Sequence, residues 1–366
     1  MKIEVIREKL QTAVQKAQRL SSKHLSLPIL SNVLLVAKHG SLLVRATNLD
    51  MGCEYLLPAK VEREGALAVP AGVFSAFVSN LSGAHSVILE GDTDKLIVSG
   101  EGARAVINGA KSDDFPTIPK PEGSFFALDP QSLLKGLRSV YYAGALGNLK
   151  PELSSVYLCA DGEELVFAAT DSFRLAEKRI QFKKASVAFP PMLLPIKNVV
   201  EIIRLLEEEK NEVRVFAGNG QFSIEGNGLL FTSRLIEGVF PDYKQIIPKE
   251  FAAEAIALRE DVLSALKLIS LFSDRFNQMT VRMDQKKKLI EISARSGEFG
   301  EGKSSIHAAL TGESAQSNFN YRYITDCLPS ISSDSVVFRW TGEGRPLLLG
   351  GVGDKSFRYL VMPMNR

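Results

Sequence analysis

Three segments of the chain carry apolar residues at the three- and four-residue spacings of one helix face. They contain Leu10, Ala13, Val14 and Ala17; Leu133, Leu134, Leu137 and Tyr141; and Val262, Leu263, Leu266 and Ile269. Asp129-Pro130 precedes the second segment as an N-cap residue followed by proline at the first helical position. Arg259-Glu260-Asp261 opens the third with acids that suit the positive end of the helix dipole. The pattern predicts an amphipathic helix near the start of each third of the chain.

Each third also contains a second predicted helix that follows a strand-like run. These segments are GALAVPAGVFSAFVSNL at 65–81, MLLPIKNVVEIIRLL at 192–206 and SNFNYRYITDCLPSI at 317–331. Between the helices lie short alternating runs with turn signals, for example SVILEGDTDKLIVSG and VRVFAGNGQFSIEGNG, where Gly-Asp and Gly-Asn-Gly indicate hairpins. The pattern therefore predicts an α+β class, in which two helices back antiparallel sheets in each third.

Landmarks recur at about one third of the length of 366 residues. The pair Ala46-Thr47 in LLVRATN returns 123 residues later as Ala169-Thr170 in LVFAATD, and Ala294 in LIEISARS follows after another 125. An apolar residue before proline recurs as Phe115-Pro116, Phe240-Pro241 and Met362-Pro363. These intervals favour three tandem repeats, with domains expected at 1–123, 124–249 and 250–366, over three unrelated α+β domains of similar size.

The chain is nearly neutral, with 44 Lys and Arg against 42 Asp and Glu and a net charge of +2. The six predicted helical segments together carry +6, which leaves −4 for the remainder. Basic residues on solvated helix faces account for such a bias in many proteins. The alternative is that helices of successive repeats face an acidic polymer, with five candidate phosphate contacts, Arg7, Lys16, Lys135, Arg138 and Lys197. No helix-turn-helix, zinc-finger or RNP motif is present, so such contact is expected to be weak, salt-sensitive and independent of base sequence.

Signals for export and membrane insertion are missing. MKIEVIREKL has no apolar core of signal-peptide length, and no apolar run approaches the roughly 18 residues of a membrane span. Cys53, Cys159 and Cys327 lie far apart without a CxxC pair, which favours reduced thiols. We therefore expect a cytoplasmic protein with no membrane partner.

One segment of the chain matches a nucleotide-binding motif. GEFGEGKS at 297–304 matches the phosphate-binding loop G-x-x-x-x-G-K-S, with Gly297, Gly302, Lys303 and Ser304 in place. Such a loop needs a long helix after it, whereas SSIHAALTG is short and soon ends at Thr311-Gly312. Nucleotide binding is therefore retained only as an alternative, and in the repeat this segment takes the place of a hairpin turn.

Other catalytic signals are weaker. The four histidines are scattered without metal-ligand spacing, and neither a GxSxG elbow nor a strand-first GxGxxG occurs. We expect no catalytic residues, no metal and no cofactor.

Four segments resemble one family in chain order. LPILSNVLL at 27–35, AATDSFRLA at 168–176, EGVFPDYKQIIP at 237–248 and YLVMPM at 359–364 are similar to the bacterial DNA polymerase III beta subunits, the replicative sliding clamps. The resemblance implies three repeats of the DNA-clamp fold per chain and a head-to-tail homodimeric ring around duplex DNA. It implies a non-catalytic processivity subunit of a DNA-directed DNA polymerase complex, with no 3′–5′ exonuclease activity. The implied partners are duplex and primed DNA, a second copy of the chain, the replicative polymerase subunit, the clamp loader, and other repair and replication proteins that carry the clamp-binding motif.

The resemblance also implies a pocket between the second and third domains that binds short linear motifs of these partners. Its residues map onto Leu153, Thr170, Ser172, Phe173, Arg174, Leu175, Pro241, Ile246, Asn320, Tyr323, Leu360, Met362, Pro363 and Met364. An apolar floor with flexible methionines at its rim suits varied peptides. Many relatives have Gly-His where this chain has Ser172-Phe173, so the larger Phe is expected to reshape part of the pocket.

For DNA, the resemblance points to two loops that hold Lys23, His24, Gly147, Asn148 and Lys150. His24 stands where a relative has Arg, and Pro151-Glu152 replace aromatic positions. At the ring seam, the edge strand of the first domain is expected to meet the third domain of the partner. The seam residues are Arg104, Ala105 and Ile107 on one side and Leu271, Phe272, Glu298 and Glu301 on the other. Glu298 and Glu301 lie in GEFGEGKS, which gives that segment a role opposite Arg104.

Overall fold

The computed structural model describes residues 1–21, 26–81, 83–147, 149–182, 189–218 and 220–364. The chain forms two compact units, each built from two stretches of sequence. The first unit contains Met1–Gln131 and Arg204–Leu235, and the second contains Ser132–Ile203 and Ile236–Arg366. Among the residues that the structure describes, no helix is long and apolar enough to cross a membrane.

Six α-helices lie within the described residues, each in a segment that the sequence predicts to be helical. They are α1 (Arg7–Leu20), α2 (Ala71–Asn80), α3 (Pro130–Val140), α4 (Ile196–Leu206), α5 (Arg259–Ser270) and α6 (Tyr321–Cys327). Leu10 and Val14 of α1 have no exposed surface, and neither does Leu137 of α3. The Asp129 carboxylate accepts a hydrogen bond from the Gln131 amide at 3.3 Å, which supports the predicted N-cap of α3.

The described strands fill the intervals between the helices. In the first third they are β1 (Lys2–Ile6), β2 (Asn32–Lys38), β3 (Ser41–Thr47), β4 (Met51–Arg63), β5 (Gly65–Pro70), β6 (Ser86–Gly91), β7 (Lys95–Gly100) and β8 (Ala103–Asn108). In the second third they are β9 (Phe125–Leu128), β10 (Ser155–Asp161), β11 (Glu164–Thr170), β12 (Arg174–Gln181), β13 (Met192–Pro195), β14 (Val213–Gly218), β15 (Gln221–Gly226) and β16 (Leu229–Arg234). In the last third they are β17 (Ala253–Leu258), β18 (Gln278–Asp284), β19 (Leu289–Ser296), β20 (Gly300–His307), β21 (Ala309–Gly312), β22 (Ala315–Asn320), β23 (Ser335–Trp340), β24 (Leu347–Gly351) and β25 (Phe357–Val361).

The first unit is built on a twelve-stranded antiparallel sheet. Its order is β8-β7-β6-β1-β4-β16-β15-β14-β9, and β3, β2 and β5 continue from β4. The long strand β4 pairs with β1 through its last residues and with β3 and β16 through its first. Helix α1 packs on β3, β4 and α2, so the apolar face predicted for it forms the core of this unit.

The second unit contains two antiparallel sheets. The larger has the order β13-β10-β11-β12-β25-β24-β23-β17-β21, and the smaller has the order β20-β19-β18-β22. Helix α5 packs on β19 and β20 and contacts α6. Helices behind antiparallel sheets in both units confirm the predicted α+β class.

The loop of the phosphate-binding alternative is a hairpin. Strands β19 and β20 pair antiparallel from Ser296↔Gly300 to Leu289↔His307, so Lys303 lies inside a strand. Its Nζ lies 2.6 Å from Glu291 Oε2 on the neighbouring strand. A phosphate loop needs backbone amides that converge at a helix N-terminus. The nucleotide-binding alternative is therefore wrong, and the hairpin expected from the repeat is confirmed.

Candidate peptide-binding pocket and interfaces

A tight turn between β11 and β12 forms one side of the candidate pocket. The Thr170 hydroxyl donates to the Arg174 carbonyl at 2.6 Å and accepts from the Ser172 amide at 3.1 Å. The Asp171 Oδ1 atom accepts from the amides of Phe173 and Arg174, both at 2.9 Å. These bonds hold Ser172 in the left-handed region, with φ of 76°, and leave Phe173 61% exposed at the tip.

The same turn occurs in the first unit between β3 and β4. Thr47 Oγ1 donates to the Met51 carbonyl at 2.7 Å and accepts from the Leu49 amide at 3.0 Å, and Leu49 has a φ of 74°. Asn48 occupies the position equivalent to Asp171, and its Oδ1 atom accepts from the amides of Asp50 and Met51. The recurrence that the sequence shows at Thr47 and Thr170 is therefore a repeated local structure.

Arg174 ties this turn to the helix of the last third. Its Nε lies 2.9 Å from Asp171 Oδ2, its Nη1 lies 2.7 Å from Asp326 Oδ2, and its guanidinium lies 4.4 Å from the centre of the Tyr323 ring. Burial of Arg174 opposes its charge, but the Tyr359 phenol and the two carboxylates outweigh burial and raise its pKa. Arg174 thus holds Asp171 and Tyr323 on either side of itself with its charge intact.

The residues of the predicted pocket floor and the C-terminal segment come together where β12 pairs with β25. Leu175 and Leu360 are register partners, and both belong to one buried apolar cluster. Beyond β25, the Met362 amide donates to the Phe173 carbonyl and the Met364 amide donates to the Asn318 carbonyl, both at 2.8 Å. Met362 and Met364 are therefore hydrogen-bonded into the site, with Pro363 between them.

The remaining predicted pocket residues lie at its borders. Leu153 is buried just before β10, and its amide donates to the Lys150 carbonyl at 3.0 Å. Asn320 caps α6 by accepting from the Arg322 amide at 3.0 Å. Pro241 and Ile246 are exposed on the segment before β17. The whole predicted set lies in the second unit.

The candidate DNA-contacting residues are only partly described. Lys23, His24 and Asn148 lie outside the described residues. Gly147 is exposed with a φ of 106°, and Lys150 nearby is exposed too. Two leucines that the sequence reasoning did not select, Leu146 and Leu149, are almost fully exposed in the same loop.

The basic residues of the helices differ in their surroundings. Lys135, Arg138 and Lys197 are exposed. Lys16 and Arg7 are half-buried: Lys16 Nζ lies 2.9 Å from Glu208 Oε2, and Arg7 Nη1 donates to the Leu81 carbonyl at 2.8 Å. The two basic residues of the first unit are thus less exposed than the three of the second, a difference that the sequence does not show.

The two predicted halves of the seam lie on sheet edges. β8 is the outer strand of the twelve-stranded sheet, and β20 is the outer strand of the four-stranded sheet. On β8, Arg104 is exposed and Ala105 is half-buried, whereas Ile107 is 5% exposed and packs within its own unit. Val106 is 56% exposed between them, and sequence reasoning missed it.

The other half of the predicted seam contains a close approach at one glycine. A side chain at Gly302 would overlap the ring of Phe272, so the glycine lets that ring pack closely against β20. Leu271 is exposed beside it, and Glu298 and Glu301 are exposed on the β19–β20 hairpin.

Three sequence models of one family match the chain in succession. The N-terminal domain of the DNA polymerase III beta subunit matches residues 1–119, the central domain matches 127–242, and the C-terminal domain matches 244–365. The chain belongs to the DNA polymerase III beta-subunit family. The predicted resemblance and the three-domain clamp fold are confirmed, while the exact domain boundaries stay predictions.

Relatives with the same domains match over their whole length. The beta sliding clamp of Synechococcus elongatus is 27% identical over 371 residues, which cover 100% of this chain and 99% of the relative. That of Bacillus subtilis is 26% identical with the same coverage. The crystal structure of the Bacillus subtilis DNA polymerase sliding clamp superposes with a TM-score of 0.95 at 24% identity, covering 100% of this chain and 99% of that one. The crystal structure of a Pseudomonas aeruginosa sliding clamp bound to griselimycin superposes with a TM-score of 0.94 at 24% identity, and both chains are covered over 100% of their length.

The beta-subunit fold surrounds the pocket floor with residues that sequence reasoning missed. Leu193, Phe240, Tyr243 and Leu348 join Leu175 and Leu360 in one buried cluster. Two of them, Phe240 and Tyr243, lie in the FPDY segment that identified the family, so the signal was present in the motif itself. Among the described residues, no group of His, Cys, Asp and Glu is arranged to hold a metal ion.

Proposed function

We propose that this chain is a DNA sliding clamp that closes as a head-to-tail homodimeric ring around duplex DNA. The observation that carries the proposal is the succession of three beta-subunit domains over nearly the whole chain. The ring holds the replicative polymerase on its template, so its contribution to synthesis is topological. The proposal assigns the chain no catalytic residue and no cofactor.

Ring closure is supported by the two open sheet edges. A strand at the edge of a sheet presents unpaired backbone donors and acceptors, which another strand satisfies. In a head-to-tail dimer, β8 of one protomer adds to β20 of its partner, and the same contact repeats at the second seam. Arg104 then faces the acids Glu298 and Glu301, while Leu271 and Phe272 supply apolar contact.

DNA binding is assigned to the exposed cations, because the affinity of proteins for the phosphate backbone is mainly electrostatic. Lys135, Arg138, Lys150 and Lys197 are the described candidates, and all four are exposed. A few such contacts hold DNA weakly and independently of base sequence, and weak contacts leave the ring free to slide.

Partner binding is assigned to the pocket around Leu175 and Leu360. The proposed occupants are short segments of the polymerase, the clamp loader and other replication and repair proteins. The pocket combines a buried apolar floor with an exposed rim that includes Met362 and Ile246. Such a surface accepts peptides that share few residues.

Mass in solution tests the assembly. Light scattering at micromolar concentration is expected to give about twice the 40.1 kDa of one chain. A stable monomer at that concentration contradicts the proposal. Substitution of Val106 by Glu places a charge on the exposed face of β8, and it is expected to shift the mass towards one chain. The matched change of Val73, an exposed residue of α2, is expected to leave the mass unchanged.

A further inference from the structure

The segment between β16 and β17 supplies two pocket residues without being part of a sheet. Its only regular element is a single 3-10 turn, Tyr243–Ile246. Pro241 and Ile246, on either side of the segment's centre, are both exposed. Something other than strand pairing must fix their positions.

Tyr243 anchors this segment to the sheet. Its side chain is 5% exposed, and its hydroxyl donates to Glu177 Oε2 at 2.7 Å. Glu177 lies on β12 two residues beyond Leu175, so it shares a face of the sheet with the pocket floor. The bond therefore ties the segment to the strand that carries the floor.

Glu177 is held in place as an acceptor. Its side chain is only 3% exposed, Arg179 Nε lies 3.2 Å from its Oε1, and Arg358 Nη1 lies 3.8 Å from the same atom. Both guanidinium groups lie against Oε1, which leaves Oε2 to accept from the phenol. Burial, together with Glu177, raises the pKa of Tyr243, so the phenol keeps its proton to donate.

Aromatic packing fixes the ring as well as the hydroxyl. Phe240 stacks on Tyr157 with centroids 4.9 Å apart, and Tyr243 meets Phe240 edge-on at 5.9 Å. The Tyr243 amide also donates to the Pro241 carbonyl at 2.8 Å, so the position of the ring sets that of the proline.

We infer that Tyr243 is a positioning residue of the peptide pocket: through Glu177 it holds Pro241 and Ile246 at the rim in the geometry that receives an apolar peptide side chain. The inference rests on the proposed function, because it concerns the same pocket. Tyr243 itself is buried and touches the peptide only through its neighbours.

The test uses the full-length protein and a fluorescein-labelled ten-residue peptide copied from the clamp-binding motif of the replicative polymerase of the same organism. Tyr243→Phe removes the hydroxyl and keeps the ring. It is expected to weaken binding about fivefold to tenfold, measured by anisotropy, with no change in dimer mass. Tyr55→Phe is the matched control, since the Tyr55 hydroxyl is buried in the first unit and has no hydrogen-bond partner among the described residues. It is expected to leave affinity within twofold.

A double-mutant cycle separates positioning from general destabilisation. Ile246 is exposed, so Ile246→Ala removes the rim contact with little effect on folding. In that background Tyr243→Phe is expected to lose most of its effect on affinity, because the hydroxyl acts through the rim. Wild-type affinity of Tyr243→Phe overturns the inference, and so does an equal loss in both backgrounds. Failure of the unchanged protein to bind the peptide overturns the proposed pocket itself.

Discussion

Ser172 is a non-glycine residue held in left-handed backbone at the tip of the pocket turn. Its φ of 76° matches that of Leu49 in the equivalent turn of the first unit. A side chain in this region costs roughly 1–2 kcal/mol, while glycine adopts it freely but loses more entropy on folding. The hydrogen bonds of Thr170 and Asp171 enforce the conformation despite that cost.

Ser172→Gly is therefore expected to raise the free energy of unfolding, by up to about 1 kcal/mol after the entropy of glycine is deducted. Urea denaturation measures the change. Leu49→Gly is the matched variant, because it relieves the same conformation in a turn with the same bonds, and the same sign is expected. A clear loss of stability in Ser172→Gly contradicts this account of the turn.

Arg174 connects groups that lie far apart in the sequence, since its Nη1 reaches Asp326 while its Nε reaches Asp171. Lys cannot reproduce this fork, because an ammonium is a single point of charge. Arg174→Lys is expected to cost about 2 kcal/mol of stability, measured by urea denaturation. Arg214→Lys is the control, since its pair with Glu225 at 3.5 Å is half exposed, and a negligible change is expected there. Equal losses of stability at the two sites contradict the bridging role assigned to Arg174.

The limits of the sequence are clearest at this scale. Arg174, Leu175 and Pro241 could be assigned to the pocket by likeness to a family motif. The sequence could not predict that Arg174 pairs with Asp326 or that Tyr243 pairs with Glu177. Partners that only folding brings together leave no local pattern in the sequence.

At the scale of helices and strands, most of what could be predicted came from the local periodicity of apolar residues. Apolar spacing predicted α1, α3 and α5, and Gly-Asp at 91–92 predicted the turn between β6 and β7, where the Asp92 amide donates to the Lys95 carbonyl. The pairing of β4 with β16 was not predictable. More than 160 residues separate the two strands, and no local feature of either sequence indicates its pairing partner.

The GEFGEGKS segment shows why a motif needs its context. Its residues satisfy the phosphate-loop pattern. However, apolar and polar residues alternate around Ile290 and Ile292 before the motif and around Ile306 after it, and these two segments are paired strands. The periodicity after the lysine decides between a helix and a strand, and here it decides for a strand.

The proposed seam joins two unlike elements, β8 and β20, and charge exchange tests it. Arg104→Glu places like charges opposite Glu298 and Glu301, and the pair Glu298→Lys with Glu301→Lys does the same from the other side. Each variant alone is expected to be monomeric by light scattering, because both seams of a head-to-tail dimer then carry repulsion.

Mixing the two variants is expected to restore a dimer, since one seam then has exchanged charges and the other has the original ones. A dimer that joins identical surfaces gives no such recovery. Failure of the mixture to dimerise, with both variants folded, contradicts the assigned seam.

At the scale of the whole molecule, a net charge of +2 conceals a separation of charge between helices and the rest of the chain. The structure refines this picture, because Lys135, Arg138 and Lys197 are exposed whereas Arg7 and Lys16 are half-buried. A small number of phosphate contacts predicts that the affinity for linear DNA is low and falls with added salt.

Retention on DNA of different topology tests the central claim most directly. The protein is placed on a nicked circular plasmid by the clamp loader of the same organism, washed in moderate salt, and followed by gel filtration before and after one restriction cut. A closed ring is expected to remain on the circle and to be lost from the linear product within minutes. Equal retention on circle and linear DNA, or loss from both, contradicts the claim that this chain encircles its template.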